Sequence, residues 1–163
     1  MAEFDVTALA LAEPAPPMAE AARATRLPML SLERVSTREG ALAARAFGAD
    51  AVLVDPDATE AEREATAANA RSTRMVALQV ARTREEVEGE VARGARAVLL
   101  EAEGVGDLVA MAEAAGRLIV VALPSRPQED DVRRLLGRVD AVVVGIEVYG
   151  ATGFERLVSE VHL

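Results

Sequence analysis

The stretch that decides the fold is Phe47-Gly48-Ala49-Asp50-Ala51-Val52, in which a glycine and a short turn lead into an apolar run. The chain repeats it as Arg93-Gly94-Ala95-Arg96-Ala97-Val98, and again, with a longer turn, as Leu136-Gly137-Arg138-Val139-Asp140-Ala141-Val142. A glycine that follows a segment of helical period can end the helix by adopting a left-handed conformation. Each copy therefore predicts a helix end, a tight turn and a buried strand.

On both sides of these turns, short apolar runs alternate with longer segments of helical period. Several of the runs lack alternation of apolar and polar residues, which is typical of parallel strands buried on both faces. We predict strands at residues 6–12, 28–32, 51–54, 75–80, 97–100, 118–123 and 141–144. We predict helices at residues 17–25, 38–47, 60–70, 84–93, 107–115, 129–136 and 154–161.

Three threonines, Thr37, Thr59 and Thr83, precede predicted helices at the N-cap position. A side-chain oxygen at this position accepts a hydrogen bond from the first turn of the helix. Glu62 and Glu86 follow the last two of these threonines by three residues, which predicts a capping box at each helix.

A doubly wound open sheet and a barrel both fit the alternation of strands and helices. No glycine-rich phosphate-binding fingerprint follows the first strand, and the even spacing of the repeated turn favours the barrel. We therefore expect an α/β, TIM-barrel-like parallel (β/α) repeat of about seven strand–helix units. We expect a single domain over residues 1–163, in which one unit of a standard eight-unit barrel is unaccounted for.

The composition excludes several classes of function. The 163 residues are 51% hydrophobic and 2% aromatic, which predicts an aliphatic core and leaves little for stacking on bases. A net charge of -9, with arginine as the sole basic residue, disfavours nucleic acid and anionic membranes. Without lysine or cysteine there is no Schiff base, thiolate nucleophile or disulfide. We expect a soluble, cytoplasmic protein that uses no cofactor.

Six segments of the chain together resemble those of a known family; they are residues 8–14, 27–30, 43–53, 87–96, 130–135 and 139–145. In this order they resemble indole-3-glycerol phosphate synthase, an eight-stranded (β/α) barrel enzyme of tryptophan biosynthesis. The resemblance runs in order from the family's second strand to its last helix. The resemblance implies a barrel that begins at the second strand.

The resemblance also implies the loss of the family's catalytic groups. The family's general acid falls on Leu32, and two of its glutamates fall on Gln79 and Leu123. Its asparagine falls on Glu101, and its phosphate-holding glycine falls on Ser125. Leucine cannot transfer a proton, and glutamine does not titrate. Gly145 alone keeps the family's residue. The chain would then be a catalytically degenerate pseudoenzyme with no catalytic residues and without synthase activity.

Other polar residues fall where the predicted strands end, which is the face that carries the site in such barrels. The expected barrel mouth contains Glu13, Glu33, Asp55, Gln79, Glu101 and Glu147, with Arg82 and Glu103 nearby. Carboxylates could bind a hard divalent cation there, but acidic residues at strand ends are more often solvated loop positions or helix caps. We predict no metal site.

A phosphate site is a further possibility at this face. Its residues would be Ser125, Arg126, Gly145, Gly150 and Gly153, which surround the N-terminus of the last predicted helix. These glycines could equally form only a turn, and Glu147 would repel phosphate.

Two classes of function follow from these expectations. The first is a protein-interaction or scaffold module, because an open strand edge left by a missing first strand invites a second copy or another protein. The alternative is a binder of a phosphate-containing small molecule, or an altered lyase-type enzyme that uses the barrel mouth.

Overall fold

The computed structural model describes residues 8–12, 14–116, 118–124, 129–135 and 137–144. The predicted helix at residues 154–161 lies outside them. The chain divides into two compact units, Val6–Val80 and Ala81–Leu163, the second including Met1–Asp5. They are called here the N-terminal unit and the C-terminal unit.

The strands and helices alternate as predicted. The strands are β1 (Leu9–Leu11), β2 (Met29–Val35), β3 (Ala51–Val54), β4 (Val76–Ala81), β5 (Ala97–Ala102), β6 (Ile119–Pro124) and β7 (Ala141–Val142). The helices are α1 (Pro16–Ala24), α2 (Arg38–Ala46), α3 (Glu60–Ser72), α4 (Arg84–Ala92), α5 (Val105–Ala114) and α6 (Glu129–Leu135). The strand order of this seven-stranded sheet follows the chain. The prediction of an α/β, TIM-barrel-like parallel repeat is confirmed.

The core of the N-terminal unit lies between helices and sheet. Met18 of α1 and Ala44 of α2 are fully buried and pack in one cluster with Met29 of β2 and Val52 of β3. Small alanines on the helices let them approach the strands closely, and the larger aliphatic side chains fill the remaining space. The predicted aliphatic core is present in this unit.

Strand β2 contains an irregularity that the sequence does not predict. Ser31 pairs with Val52 and Arg34 pairs with Leu53. Val52 and Leu53 are consecutive in β3, whereas two residues lie between Ser31 and Arg34 in β2. We call these residues, 32 and 33, the β2 excursion. The strand therefore extends to Val35 instead of ending at residue 32 as predicted.

The C-terminal unit builds its core from alternate strand residues. Leu100 of β5 and Ala122 of β6 are fully buried in one cluster with Leu108 and Met111 of α5. Strands β5 and β6 pair in parallel without a break in register along six residue pairs, from Ala97 with Ile119 onward. This continuous register places the ends of both strands at the same level.

The repeated turn ends helices as predicted. Gly48, Gly94, Gly116 and Gly137 all have positive φ, from 63° to 100°. After α2, the N–H of Ala49 donates to the carbonyl of Ala44 at 3.0 Å, which closes the helix end. Helix α3 ends in the same way although its left-handed residue is Arg74, with φ 61°. The sequence does not reveal this turn because it lacks the glycine.

The aspartates of the repeated turn have a structural role. The Asp50 carboxylate accepts a hydrogen bond from the N–H of Met29 at 3.1 Å. The Asp140 carboxylate does the same for the N–H of Val120 at 2.7 Å. Each aspartate thus satisfies a backbone donor near the start of the preceding strand, which fixes the level at which the two strands pair.

The N-cap threonines confirm the predicted helix starts, with one difference between the capping boxes. Thr59 and Glu62 form a complete box at α3. Hydrogen bonds from Thr59, first from its side chain and then from its backbone, hold the pKa of the Glu62 carboxyl below its usual value. At α4, Thr83 accepts from the N–H of Glu86 as predicted. The Glu86 carboxylate, however, accepts from the N–H of Arg82, one residue before the N-cap.

No helix within the described ranges is both long enough and apolar enough to span a membrane.

Candidate functional site

The structure describes part of the predicted barrel mouth. Glu33, Asp55, Gln79 and Glu101 belong to the described residues. The others lie outside them, so the phosphate site and the rest of the mouth stay predictions; these are Glu13, Ser125, Arg126, Gly145, Glu147, Gly150 and Gly153.

In the N-terminal unit, the strand-end residues serve the backbone or one another. Asp55 follows β3, and one of its carboxylate oxygens accepts from the N–H of Asp57 at 3.0 Å, which forms a local turn. Gln79 of β4 accepts from the guanidinium of Arg63 on α3 at 3.4 Å. Glu33 lies exposed in the β2 excursion. These contacts fit the ordinary loop role of strand-end polar residues.

The C-terminal unit contains a cavity at the carboxyl ends of its strands. The cavity has a volume of about 510 Å³ and opens widely to solvent. Its lining consists of three charged side chains and three small or apolar residues, namely Arg82, Glu101, Glu103, Ala102, Leu123 and Pro124. This is the face where (β/α) barrels keep their sites. Glu101, with Arg82 and Glu103 that were predicted beside it, belongs both to the predicted mouth and to this cavity.

The strand geometry explains how these side chains come together. Glu101 pairs with Leu123 and Ala102 pairs with Pro124 at the end of the β5–β6 ladder. Since successive strand residues point to opposite faces, Glu101 points away from the face on which Val98 and Leu100 pack against α5. The apolar run of β5 ends at Glu101, so a carboxylate appears where the strand reaches the cavity.

An ion pair forms the polar centre of the cavity. The Nε of Arg82 lies 3.5 Å from Oε2 of Glu101. The Arg82 side chain is 39% exposed and that of Glu101 is 20% exposed, so the pair is partly removed from water yet open to a ligand. A partly desolvated pair interacts more strongly than a fully exposed one, because water screens it less.

These groups define what the cavity can do chemically. A guanidinium offers N–H donors in a fork that matches the oxygens of a phosphate or carboxylate group. Carboxylates accept hydrogen bonds from hydroxyl or ammonium groups and can take up a proton. Among the described residues, no group of three or more His, Cys, Asp or Glu side chains could hold a metal ion.

The sequence indicates only part of this cavity. The residues following β4 and β5 predict that Arg82, Glu101 and Glu103 lie near one face. The resemblance instead treats position 123 as a lost catalytic glutamate, whereas Leu123 is a wall of the cavity beside Pro124. The pairing of Glu101 with Leu123 depends on the β5–β6 register, which the sequence does not specify.

Comparison with known proteins gives structural neighbours alone. No protein-family model matches the chain, and no curated protein matches it. A thiamine phosphate pyrophosphorylase from Pyrococcus furiosus is 20% identical with a TM-score of 0.66, over 97% of this chain and 85% of that one. A 3-hexulose-6-phosphate synthase is 15% identical with a TM-score of 0.72, over 90% of this chain and 78% of that one.

These findings correct the assignment drawn from the resemblance. The expectation of a relative of indole-3-glycerol phosphate synthase, and with it of tryptophan biosynthesis, is wrong, because the structural neighbours are other enzymes. The two longest matching segments, residues 43–53 and 87–96, contain the glycine that ends a helix, and the same turn also closes α3, where the left-handed residue is Arg74. Such a turn belongs to the (β/α) unit and does not distinguish one family from another.

The expectation of a degenerate scaffold is wrong as well. It depended on comparing residues such as Leu32 and Gln79 with the catalytic set of a family that the neighbours do not support. Outside that family, Leu32 is not evidence that a catalytic group has been lost. The expected protein partner at an open sheet edge stays a prediction. At these identities the likeness shows the fold alone: the chain has the (β/α) fold of enzymes whose names include phosphate compounds.

Proposed function

We propose that this protein is an enzyme that acts on a small phosphorylated molecule in the cavity at the carboxyl ends of β5 and β6. The observation that carries the proposal is the partly exposed pair of Arg82 and Glu101 in the cavity wall. The names of the two structural neighbours, which contain thiamine phosphate and hexulose 6-phosphate, support a phosphate ester as the substrate class.

Binding of a phosphate ester here depends on Arg82. The charged lining consists of this guanidinium and the carboxylates of Glu101 and Glu103, so carboxylates outnumber cations. The two carboxylates repel a phosphate dianion. The guanidinium of Arg82 offsets that repulsion because it can donate short, charge-assisted hydrogen bonds to the phosphate oxygens. In this arrangement the phosphoryl group competes with Glu101 for Arg82.

The carboxylates supply the remaining chemistry. Glu103 is exposed at the cavity and can accept hydrogen bonds from substrate hydroxyl groups. Glu101, once the phosphoryl group has taken its place on Arg82, is a carboxylate at the cavity wall that can receive a proton from the substrate. Leu123 and Pro124 provide an apolar surface beside these groups.

The test is a binding titration with ribose 5-phosphate followed by calorimetry and by ³¹P NMR. We expect binding by the wild-type protein and a Kd weaker by about tenfold or more in Arg82→Met, because the cavity loses its cation. The control is Arg84→Met, which removes the same charge two residues away. Arg84 pairs with Glu88 on the exposed surface of α4 and lies outside the cavity lining.

Two results would contradict the proposal. One is the absence of binding by the wild-type protein. The other is an equal loss of affinity in both variants, since that would reduce the role of Arg82 to its contribution to net charge.

A further inference from the structure

The glutamates at the third positions of α3 and α4, Glu62 and Glu86, make different contacts. At α3, Glu62 accepts hydrogen bonds from the N–H of Thr59 at 2.9 Å and from its hydroxyl at 2.7 Å, so that box closes on its own N-cap residue. At α4, Oε2 of Glu86 accepts from the N–H of Arg82 at 2.6 Å. Arg82 lies in the cavity lining, so this second contact joins the helix start to the candidate site.

The position of Arg82 in the chain makes that contact consequential. Arg82 follows the last residue of β4, Ala81, and precedes the N-cap Thr83. Its backbone is therefore held by the strand on one side and by the helix start on the other. The Thr83 hydroxyl also accepts from the N–H of Glu86, so the backbone of Glu86 is fixed at the start of α4 by the residue next to Arg82. The hydrogen bond to a carboxylate is of the charge-assisted kind, which is stronger than one between neutral groups.

From this geometry we infer that Glu86 is a positioning residue for the candidate site: it holds the backbone of Arg82 so that the guanidinium meets Glu101 at the cavity. The role of Glu86 in anion binding rests on the proposed function, whereas its hydrogen bond to the N–H of Arg82 exists without a ligand. A backbone that is already fixed loses less conformational entropy when the guanidinium binds an anion, so the cost that remains is that of ordering the side chain.

Two substitutions of Glu86 separate positioning from charge. Glu86→Gln and Glu86→Ala remove the same negative charge near the cavity, which by itself would favour an anion equally in both. Only glutamine keeps a side-chain oxygen that can accept from the N–H of Arg82. The matched controls are Glu62→Gln and Glu62→Ala, which alter the capping box of α3 in the N-terminal unit.

The first measurement is the Kd for ribose 5-phosphate in all four variants, with the thermal midpoint recorded beside it. We expect Glu86→Ala to bind about fivefold more weakly than Glu86→Gln, as the loss of one hydrogen bond would give. The two Glu62 variants should keep the wild-type Kd while their thermal midpoints fall. A purely structural role for Glu86 would lower its thermal midpoint and leave the Kd of the alanine and glutamine variants equal, which would overturn the inference.

The second measurement requires no ligand. Proton exchange at the Arg82 Nε–H, followed by ¹⁵N NMR, reports how firmly the guanidinium is held at Glu101. We expect exchange to be about fivefold faster in Glu86→Ala than in Glu86→Gln, and unchanged in the Glu62 variants. If wild-type protein fails to bind ribose 5-phosphate, the proposed function is wrong and this exchange rate decides the inference alone. Equal exchange in the alanine and glutamine variants of Glu86 would overturn it.

Discussion

The turn at Gly48 in the N-terminal unit and the turn at Gly94 in the C-terminal unit have the same design but different surroundings. Both glycines are left-handed, with φ of 100° and 75°. A Cβ at Gly48 would lie 2.7 Å from the Cβ of Ala22, whereas a Cβ at Gly94 would meet nothing within 4 Å. The two turns therefore share their backbone conformation, while the packing around the glycine differs between the units.

The comparison is tested most strongly by alanine at both glycines. We expect Gly48→Ala to lower the free energy of unfolding by about 2–5 kcal/mol, because left-handed strain adds to the collision with Ala22. Gly94→Ala should cost about 1–2 kcal/mol, since it carries the strain alone. Urea denaturation followed by circular dichroism measures both values. Equal losses would mean that packing around Gly48 adjusts freely.

The residue that precedes the strand gives a second contrast. Asp50 accepts from the N–H of Met29 and from the guanidinium of Arg45, at 3.1 and 3.0 Å. Arg96 occupies the same place in the other turn. The backbone carbonyls of both residues accept from the following strand, Asp50 from the N–H of Val76 at 2.9 Å and Arg96 from that of Ile119 at 3.0 Å, so the contrast lies in the side chains. We expect Asp50→Ala to cost about 1–2 kcal/mol, because a partly buried donor loses its acceptor.

The matched variant, Arg96→Ala, keeps the backbone carbonyl and should change stability by less than about 0.5 kcal/mol. Both variants are compared in the same urea series. A loss in Arg96→Ala as large as that in Asp50→Ala would show that the side chain at this position stabilises the turn in both units.

One substitution is expected to increase stability. Arg74 takes the left-handed place that glycine holds in the other turns, with φ 61°. Arg74→Gly removes the strain of a side chain in this region but makes the unfolded chain more flexible, so we expect a net stabilisation of about 0.5–1 kcal/mol. Differential scanning calorimetry should find a higher thermal midpoint. A lower midpoint would show that Arg74 makes contacts that outweigh its strain.

The same comparison explains what the sequence could predict. The glycine turns and apolar runs determine helix ends and strands locally, so the alternation and the parallel fold follow from them. The left-handed conformation of Arg74 and the β2 excursion could not be predicted, because neither has a characteristic residue type. The family assignment failed for a related reason: segments built around a shared turn look alike in any chain of (β/α) units.

The position and the charged residues of the candidate site were predictable, but its apolar wall was not. Glu101 lies at the end of an apolar run and Arg82 follows β4, so their place at the carboxyl face follows from the pattern. Leu123 comes to the cavity through the β5–β6 register, which the sequence does not specify. The contact between Glu86 and Arg82 departs from the expected capping box by one residue, which the pattern of threonine and glutamate does not distinguish.

The β2 excursion also bears on how this strand can tolerate insertions and deletions. Two residues, an even number, separate Ser31 from Arg34, so the faces of the strand are not exchanged. Val35 therefore returns to the same helix-covered cluster as Met29. An odd number of extra residues would have turned Val35 to the opposite face. The parity of the excursion, more than its length, keeps the strand compatible with its core, so we expect removal of both residues to be tolerated better than removal of one.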